Sequence, residues 1–397
     1  MPDVATRCCI VGGGPAGMML GYLLGRAGIE VVVLEKHGDF LRDFRGDTVH
    51  PSTMQVMQEL GLLDAFLARP HSEVRQLAAQ IGDERFEIAD FSHLPTRAKF
   101  IAFMPQWDFL DFLAEQSRRF PTFRLMMQTE ATDLLRDGDS IAGVTTPSQQ
   151  IRAELVIACD GRHSTIRDAA GFKVTDIGAP MDVLWLRISK RPGDPGQTFG
   201  RVDAGRFFIM LDRNEYWQCA YVIAKGGIDA VHARGLEAFR ADIAQLAPQV
   251  RNRVHEIASW DDVKLLTVAV DRLDTWYRPG LLCIGDAAHA MSPVGGVGIN
   301  LAIQDAVATA NVLVPRLKRG RVAPDELRTV QRRREWPTRM TQRMQVLIQN
   351  RVISNVLRAQ ATPKAPLAVR MVGHFPALRR LPARIIGMGF RPEHIRH

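Results

Sequence analysis

The sequence predicts an α/β fold: one α/β domain on a mainly parallel sheet, an inserted, mostly antiparallel β-sheet domain, and C-terminal helices. Three observations predict it. Residues 7–11, an apolar run, pass through a glycine turn into a helical pattern over 18–27 and on to a valine-rich run over 30–34, which makes a β-α-β unit. From 182 to 271 the pattern changes to short strands around one helix near 235–246. A buried-strand pattern then returns at 281–284 and leads into a long helix over 299–317.

The elements follow in order. Gly28 ends the first helix, and the valine run after it suits a parallel strand buried on both faces. Helical spacing over 51–60 stops at Gly61, and a further helix is expected over 108–119. Residues 125–160 read as strands, with turn signals at Asp137-Gly138-Asp139 and Thr146-Pro147-Ser148. In the insertion, strands are expected at 182–188, 207–211, 217–223 and 264–270. Residues 326–358 read as helical, and the tail from Pro363 on is rich in Pro, Arg and apolar residues. The expected division is 1–73, 96–174 and 277–350 for the first domain, 74–95 and 175–276 for the inserted sheet, and 351–397 for a helical, basic tail.

Composition narrows the function. The chain has 397 residues, 24% of them charged and 46% hydrophobic, an ordinary globular balance. A net charge of +8 attracts anions, but aromatic residues do not interleave with the basic ones, so no nucleic-acid partner is expected. The five cysteines form no CxxC pair and lie mostly in apolar runs, which argues against a disulfide framework or a metal site and for a reducing, cytoplasmic setting. Glycines break the N-terminal apolar stretch before a signal sequence forms, and no apolar run of membrane-spanning length is expected.

The first motif is Gly12-Gly13-Gly14-Pro15-Ala16-Gly17, a GxGxxG turn between a strand and a helix. Gly12 allows the tight turn, Gly14 lets the backbone approach a pyrophosphate, and Gly17 permits close helix–strand packing. Pro15 and Ala16 open the helix, whose free N–H groups favour phosphate. Glu35, with Lys36 beside it, ends the second strand, where a carboxylate accepts hydrogen bonds from a ribose and disfavours a 2′-phosphate. This is a Rossmann-like dinucleotide site for FAD or NAD.

Two later segments choose between them. One is Asp160-Gly161 with Ser164 and Arg167; the other runs from Gly285-Asp286 through Pro293, Gly295, Gly296 and Gly298 to Ile299 and Asn300. Asp286 stands at a sharp turn, where it can accept from polyol hydroxyls. The glycine backbone can approach a flat ring because no Cβ intervenes. The next helix turns its positive end to an electron-rich group, as the N1–C2 carbonyl edge of a reduced flavin would be.

In these motifs, their order and their separations, the chain resembles the class A flavoprotein aromatic monooxygenases, the para-hydroxybenzoate hydroxylase-like FAD-binding monooxygenases. The resemblance covers essentially the whole chain, more weakly in the tail. It implies FAD held by Asp286 at the ribitol, by Gly298 and Asn300 at the isoalloxazine, and with Pro293 near the oxygen-reacting face. It implies cofactor contacts also for Asp160, Gly161 and Arg167 of the Asp-Gly motif, for Gly296 and Ile299, for Arg45 near the phosphates or the mobile flavin, and for Gln106 near the ribitol.

A single glycine fingerprint fits a family in which NADH or NADPH visits, reduces the flavin and leaves. The resemblance then implies reaction with O2 through a flavin C4a-hydroperoxide and hydroxylation of an aromatic, phenol-like or polycyclic substrate. No protein nucleophile is expected, and no catalytic base is assigned. His50 and His289 flank the flavin segments and read as structural or phosphate-contacting. Trp185, Phe207, Phe208, Trp217 and Trp260 are candidates for an aromatic pocket on the inserted sheet, whose strands would form its floor. The rivals are a flavin-dependent reductase or dehydrogenase of an isoprenoid or polyketide, and a non-catalytic flavin-binding protein. The basic tail, with Arg332-Arg333-Arg334 and Arg379-Arg380, is either a solvated face or a peripheral membrane contact. A monomer or homodimer is expected.

Overall fold

A computed structural model describes residues 4–41, 48–195 and 198–396. Its first sheet runs, in spatial order, Tyr277–Arg278, Leu281–Cys283, Gln150–Ala158, Val4–Val11, Val31–Leu34 and Phe123–Met126. Along this order the neighbours are parallel except the short antiparallel edge strand Tyr277–Arg278, and off it the strand Ser140–Thr145 pairs antiparallel with Gln150–Ala158. Residues 8–11 and Val31–Leu34 are buried throughout, as a sheet covered on both faces requires. The helices Pro15–Arg26 and Gly298–Leu317 pack against each other over this sheet. The hairpin Asp133–Asp137 to Ser140–Thr145 turns at Asp137 and Ser140, where the turn signal stands.

A seven-stranded sheet forms the second layer, in the order Lys264–Leu266, Met181–Ser189, Tyr216–Ala224, Arg206–Asp212, Phe199–Asp203, Gln76–Ile81 and Glu84–Asp90. It is antiparallel except where Phe199–Asp203 runs parallel to Gln76–Ile81. Alternation along its strands separates two faces. Leu184, Phe208, Trp217 and Tyr221 turn to the helix Leu236–Leu246 and pack with Phe239 and Ile243. Val183, Trp185, Phe207, Ile209, Ala220 and Val222 turn the other way and meet Val294, Ile353 and Leu357.

Several expectations are corrected. Phe208 and Trp217 are core residues on the helix side of the sheet. Trp260 opens a short 3₁₀ turn, Trp260–Asp262, rather than lying on a strand. The strand expected over 264–270 stops at Leu266. The helix expected over 326–358 is Pro324–Ile348, followed by a π turn, Gln349–Ile353, and the short helix Ser354–Arg358. Val294–Leu317 has the length and apolarity of a membrane span, contrary to expectation, but 78% of its apolar window is buried inside the protein as the core helix.

The tail forms the helices Leu367–His374 and Arg380–Met388 and is fastened to the rest of the chain. Arg379 bonds to Glu87, Arg333 bonds to Glu393, and Ile395 N–H donates to Glu59 at 2.8 Å. Arg333, Arg334 and Arg379 are therefore ion-pair partners, while Arg332 and Arg380 are exposed. Arg334 is fully buried against Asp305.

Candidate functional site

Four separate sequence motifs meet because their strands are neighbours. Glu35, Gly12, Asp160 and Asp286 follow the carboxyl ends of Val31–Leu34, Val4–Val11, Gln150–Ala158 and Leu281–Cys283. Adjacent strands lie about 4.8 Å apart, so residues far apart in sequence form one rim. A crevice at the carboxyl ends of parallel strands is where such sheets bind ligands.

The glycine turn is forced by its surroundings. Gly12 has φ +104°, and a Cβ there would stand 2.4 Å from the Cys159 carbonyl oxygen. A Cβ on Gly17 would stand 2.0 Å from the Gly12 carbonyl oxygen. Gly14 is different: a Cβ there would meet no protein atom within 4 Å, and the same holds for Gly161 and Gly298. These three glycines border open space, as a seat for a bulky ligand demands. Pro15 has no N–H, and the first helical bond is donated by Met18 to Gly14, so the amides of Ala16 and Gly17 face outward from the helix start.

Glu35 is nearly buried and accepts from Gly13 N–H and His37 N–H, both at 3.0 Å. It shapes the glycine turn as well as facing the rim. Lys36 is exposed and lies 4.0 Å from Glu130. Arg45 falls outside the described residues. Gln106 is the first residue of the helix Gln106–Ser117.

The Asp-Gly motif builds a helix cap. Ser164 Oγ accepts from Arg167 N–H at 2.9 Å and donates to Asp160 Oδ1 at 2.5 Å, while Asp160 Oδ2 accepts from Ile166 N–H at 3.2 Å. Burial pushes the Asp160 carboxyl up, against these hydrogen bonds. Arg167 is buried, donates to the Arg162 carbonyl at 2.7 Å, and keeps Nη1 without a protein partner.

Asp286 lies on the one-turn segment Gly285–Ala287, with about a third of its side chain exposed, and Arg162 Nη2 stands 3.8 Å from its carboxylate. The turn is anchored from behind. Asp305 accepts from Gly285 N–H at 3.1 Å, from His289 Nε2 at 2.6 Å and from Arg334 Nε at 2.8 Å. Burial alone would raise the Asp305 carboxyl, but His289 and Arg334 outweigh it and hold it below the ordinary carboxylate range. His289 thus takes the structural one of the two roles expected of it. A Cβ on Gly285 would stand 3.2 Å from Ala16 Cβ, so the Asp286 turn sits directly on the first helix.

Beyond Pro293 the loop runs through Gly295 at φ +80° and Gly296 at φ +63° into the long helix. Thr48 Oγ1 donates to Gly296 O at 2.9 Å. The Asn300 side chain is fully engaged: Oδ1 accepts from His50 N–H and Thr53 Oγ1, each at 2.8 Å, and Nδ2 donates to Thr48 O and Gly296 O. Its amide N–H, with those of Gly298 and Ile299, precedes the first helical bond, from Leu301 to Val297. His50 is buried, with Nδ1 2.7 Å from the Ile386 carbonyl, and burial lowers it to about 4.

The sequence reading missed Asp305, Arg334, Arg162 and the glutamines of the helix Pro324–Ile348. Apolar spacing does not find them. A polar series at helical spacing (Gln331, Arg334, Thr338, Thr341, Gln345) was the available signal.

Comparison with known proteins agrees with this geometry. A family described as FAD binding domain matches residues 5–364. 6-Methylpretetramide 4-monooxygenase from Streptomyces rimosus is 31% identical over 96% of this chain and 92% of its own. Dialkyldecalin synthase from Streptomyces rugosporus is 26% identical over 75% of this chain, which spans 63% of that longer protein. Among solved structures, p-nitrophenol 4-monooxygenase from Pseudomonas putida DLL-E4 superposes with a TM-score of 0.78 at 20% identity, covering 96% of this chain and 97% of its own. The open glycines, the outward amides of two helix starts and the acidic rim fit an extended dinucleotide such as FAD.

Proposed function

The chain belongs to the FAD-binding monooxygenase family of para-hydroxybenzoate hydroxylase type, and from that premise we propose that it hydroxylates a polycyclic aromatic polyketide, with NADH or NADPH as the visiting reductant. FAD is its cofactor, and the bound flavin supplies the oxygen-transfer chemistry. The observation that carries the substrate class is the second sheet face. On this apolar face Val183, Ala220 and Val222 are buried, Trp185, Phe207 and Ile209 are half-buried, and the cluster reaches Val294, next to Pro293. A flat polycycle buries more area on such a surface than a single phenol ring. The 31% identical relative acts, by its name, on 6-methylpretetramide.

In this reading the chain's own residues seat and orient. The amides of Gly14, Ala16 and Gly17 hold the pyrophosphate, with Glu35 and Lys36 at the adenosine end. Gln106, Asp160, Gly161 and Arg167 line the middle of the cofactor, Asp286 accepts from the ribitol, and by the family resemblance Arg45 serves the phosphates or the mobile flavin. Pro293, Gly296, Gly298, Ile299 and Asn300 border the ring through their backbone. Segments 1–73, 96–174 and 277–350 carry the cofactor, 74–95 and 175–276 form the substrate domain, and 351–397 is the tail. We assign the protein to the cytoplasm. Leu367, Met371, Phe375, Leu378 and Leu381 are exposed on the tail and suit peripheral contact with a lipid surface.

The test supplies purified protein with NAD(P)H and a panel of phenols and polycyclic polyketides. Substrate-stimulated NAD(P)H oxidation, with oxygen from O2 in the product of a polycycle, is the expected result. Turnover of the same substrate under strict anaerobiosis sinks the hydroxylase reading. It would favour chemistry without oxygen insertion, the second reading, which the similarity to dialkyldecalin synthase keeps in view.

A further inference from the structure

The helix Pro324–Ile348 is amphipathic in the reverse sense. From Gln331 onward its buried residues are Gln331, Arg334, Pro337, Thr338, Thr341, Gln342 and Gln345, while Trp336 and Leu347 are about half exposed. A helix normally buries its apolar stripe. The reversal has a local cause. The surface it covers is the edge of the short strand Asp271–Leu273 and the irregular backbone at 274–276 and 289–293, whose N–H and C=O groups need partners once buried. Glutamine carries both a donor and an acceptor and can serve such backbone as a neighbouring strand would.

The bonds are specific. Gln331 accepts from Trp276 N–H at 3.0 Å and donates to Asp274 O at 3.0 Å. Gln342 donates to Asp271 O at 2.7 Å and to Ala290 O at 3.1 Å. Gln345 accepts from Ser292 N–H at 3.3 Å and donates to Ser292 O and Val294 O, each at 2.9 Å. Gln349 donates to Ser292 Oγ, which also accepts from Val294 N–H at 3.2 Å. One side-chain amide therefore grips the backbone on both sides of Pro293.

We propose that this helix is the template that sets the flavin-facing loop 292–296, with Gln345 and Gln349 as positioning residues for oxygen transfer. The inference rests on the hydroxylase reading above. The loop needs such a template. It contains Gly295 and Gly296, both at positive φ, and its only regular structure is the turn Val294–Gly296. Two glycines in a loop leave many conformations to suppress. Thr48 and Asn300 hold its far end at Gly296, and the glutamines hold its near end at Ser292.

The same helix reaches the substrate face. Gln342, Gln345 and Gln349 follow at intervals of three and four, one face of the helix. At Gln349 the π turn begins, and it delivers Ile353 to the cluster of Met181, Val183, Val222 and Val294. Local π turns of this kind concentrate at functional sites. The loop beside the flavin and the wall beside the substrate are thus set by one rigid element. That fixes the distance between the two reactants, to which oxygen transfer is sensitive.

The experiment compares Gln345→Met and Gln349→Met, which keep side-chain length and remove the hydrogen bonds, with Trp336→Ala on the exposed face of the same helix. Hydrogen exchange at residues 290–296 is read in the FAD-loaded protein without turnover, together with the visible spectrum of the bound flavin. Product formed per NAD(P)H consumed is read with substrate. We expect both glutamine variants to retain FAD, to exchange the loop amides roughly tenfold faster, and to divert electrons to hydrogen peroxide, lowering product per NAD(P)H about threefold or more. Trp336→Ala should lower thermal stability without changing either quantity. If Gln345→Met unfolds the protein, Gln349→Met, which loses one bond, decides alone. Unchanged exchange and unchanged flavin spectrum in a folded Gln349→Met overturn the proposal, as does equal uncoupling in Trp336→Ala. The exchange and spectral readouts need no turnover, so they test the template even if the hydroxylase reading fails.

Discussion

The carboxylate of Asp305 and Nε2 of His289 stand 2.6 Å apart, and neither side chain reaches solvent. Asp305 also pairs with the fully buried Arg334 and accepts from Gly285 N–H, one residue before Asp286. A charge cluster shielded from solvent therefore anchors the turn that presents the acidic residue of the rim.

Asp305→Asn takes the nearer of two counter-charges from the buried Arg334 guanidinium and leaves Glu393 at 3.9 Å, a change that costs up to about 3–5 kcal/mol. Urea unfolding of the wild type and the variant measures it. Because Asp305 is held below the ordinary carboxylate range, its contribution is complete above the unfolded value of about 4 and fades as pH falls through the lower folded value. The difference between the two proteins should shrink on that acid limb. A difference independent of pH down to acid unfolding would contradict the charge assignment.

His50 gives the opposite residue type and the same sign. Its imidazole is buried neutral and lowered to about 4 from an ordinary 6.5. A depressed folded value means that stability is complete above about pH 6.5 and is lost as pH falls towards 4, by about 3 kcal/mol. His50→Asn should be less stable at pH 7 yet flatter across this interval. Parallel pH profiles for the two proteins would remove His50 as the cause.

Asp286→Ala should yield a folded protein that loses FAD on gel filtration, because the ribitol hydroxyls lose their acceptor. Asp286 is partly exposed and its removal leaves the Asp305 cluster intact. A variant that stays stoichiometrically yellow would show the ribitol to lie elsewhere.

Gly296→Ala brings a Cβ within 2.4 Å of Thr48 Oγ1 at φ +63°. The left-handed conformation costs about 1–2 kcal/mol, and the contact adds to it. Slower hydroxylation and a shifted flavin spectrum are expected, with partial recovery on adding Thr48→Ala, which relieves the contact but not the backbone strain. Full recovery would mean that the strain is negligible.

Trp185 and Trp217 lie on opposite faces of the same sheet. Trp185→Ala should raise KM roughly tenfold, the loss of about 1.4 kcal/mol of apolar contact, with little effect on thermal stability. Trp217→Ala should do the reverse and cost about 3–5 kcal/mol of stability. A large stability loss at Trp185 with unchanged KM would place the substrate away from this face.

Most of the first layer was legible because its signals are local. Gly12, Gly14 and Gly17 with Glu35 mark a β-α-β unit, and Gly285-Asp286 with Gly295 to Gly298 marks a strand, a turn and a helix start. Each is a run of neighbours whose backbone demands are written in their own side chains. The aromatic residues of the inserted sheet were legible as strand residues but not by face. A one-residue change of register turns every side chain over, and only the pairing of Trp185 with Ala220 and of Asp212 with Trp217 decides which face each takes.

By itself, the sequence determined the dinucleotide fold, the order of its motifs and the choice of FAD, since those rest on glycine sterics and on short-range strand and helix patterns. Only the tertiary structure decided the roles of Asp305, Arg334, Gln345 and Asn300. Their partners, Gly285, His289, Ser292 and Thr48, lie on other elements. A buried polar side chain has no meaning until the backbone it must satisfy is packed against it.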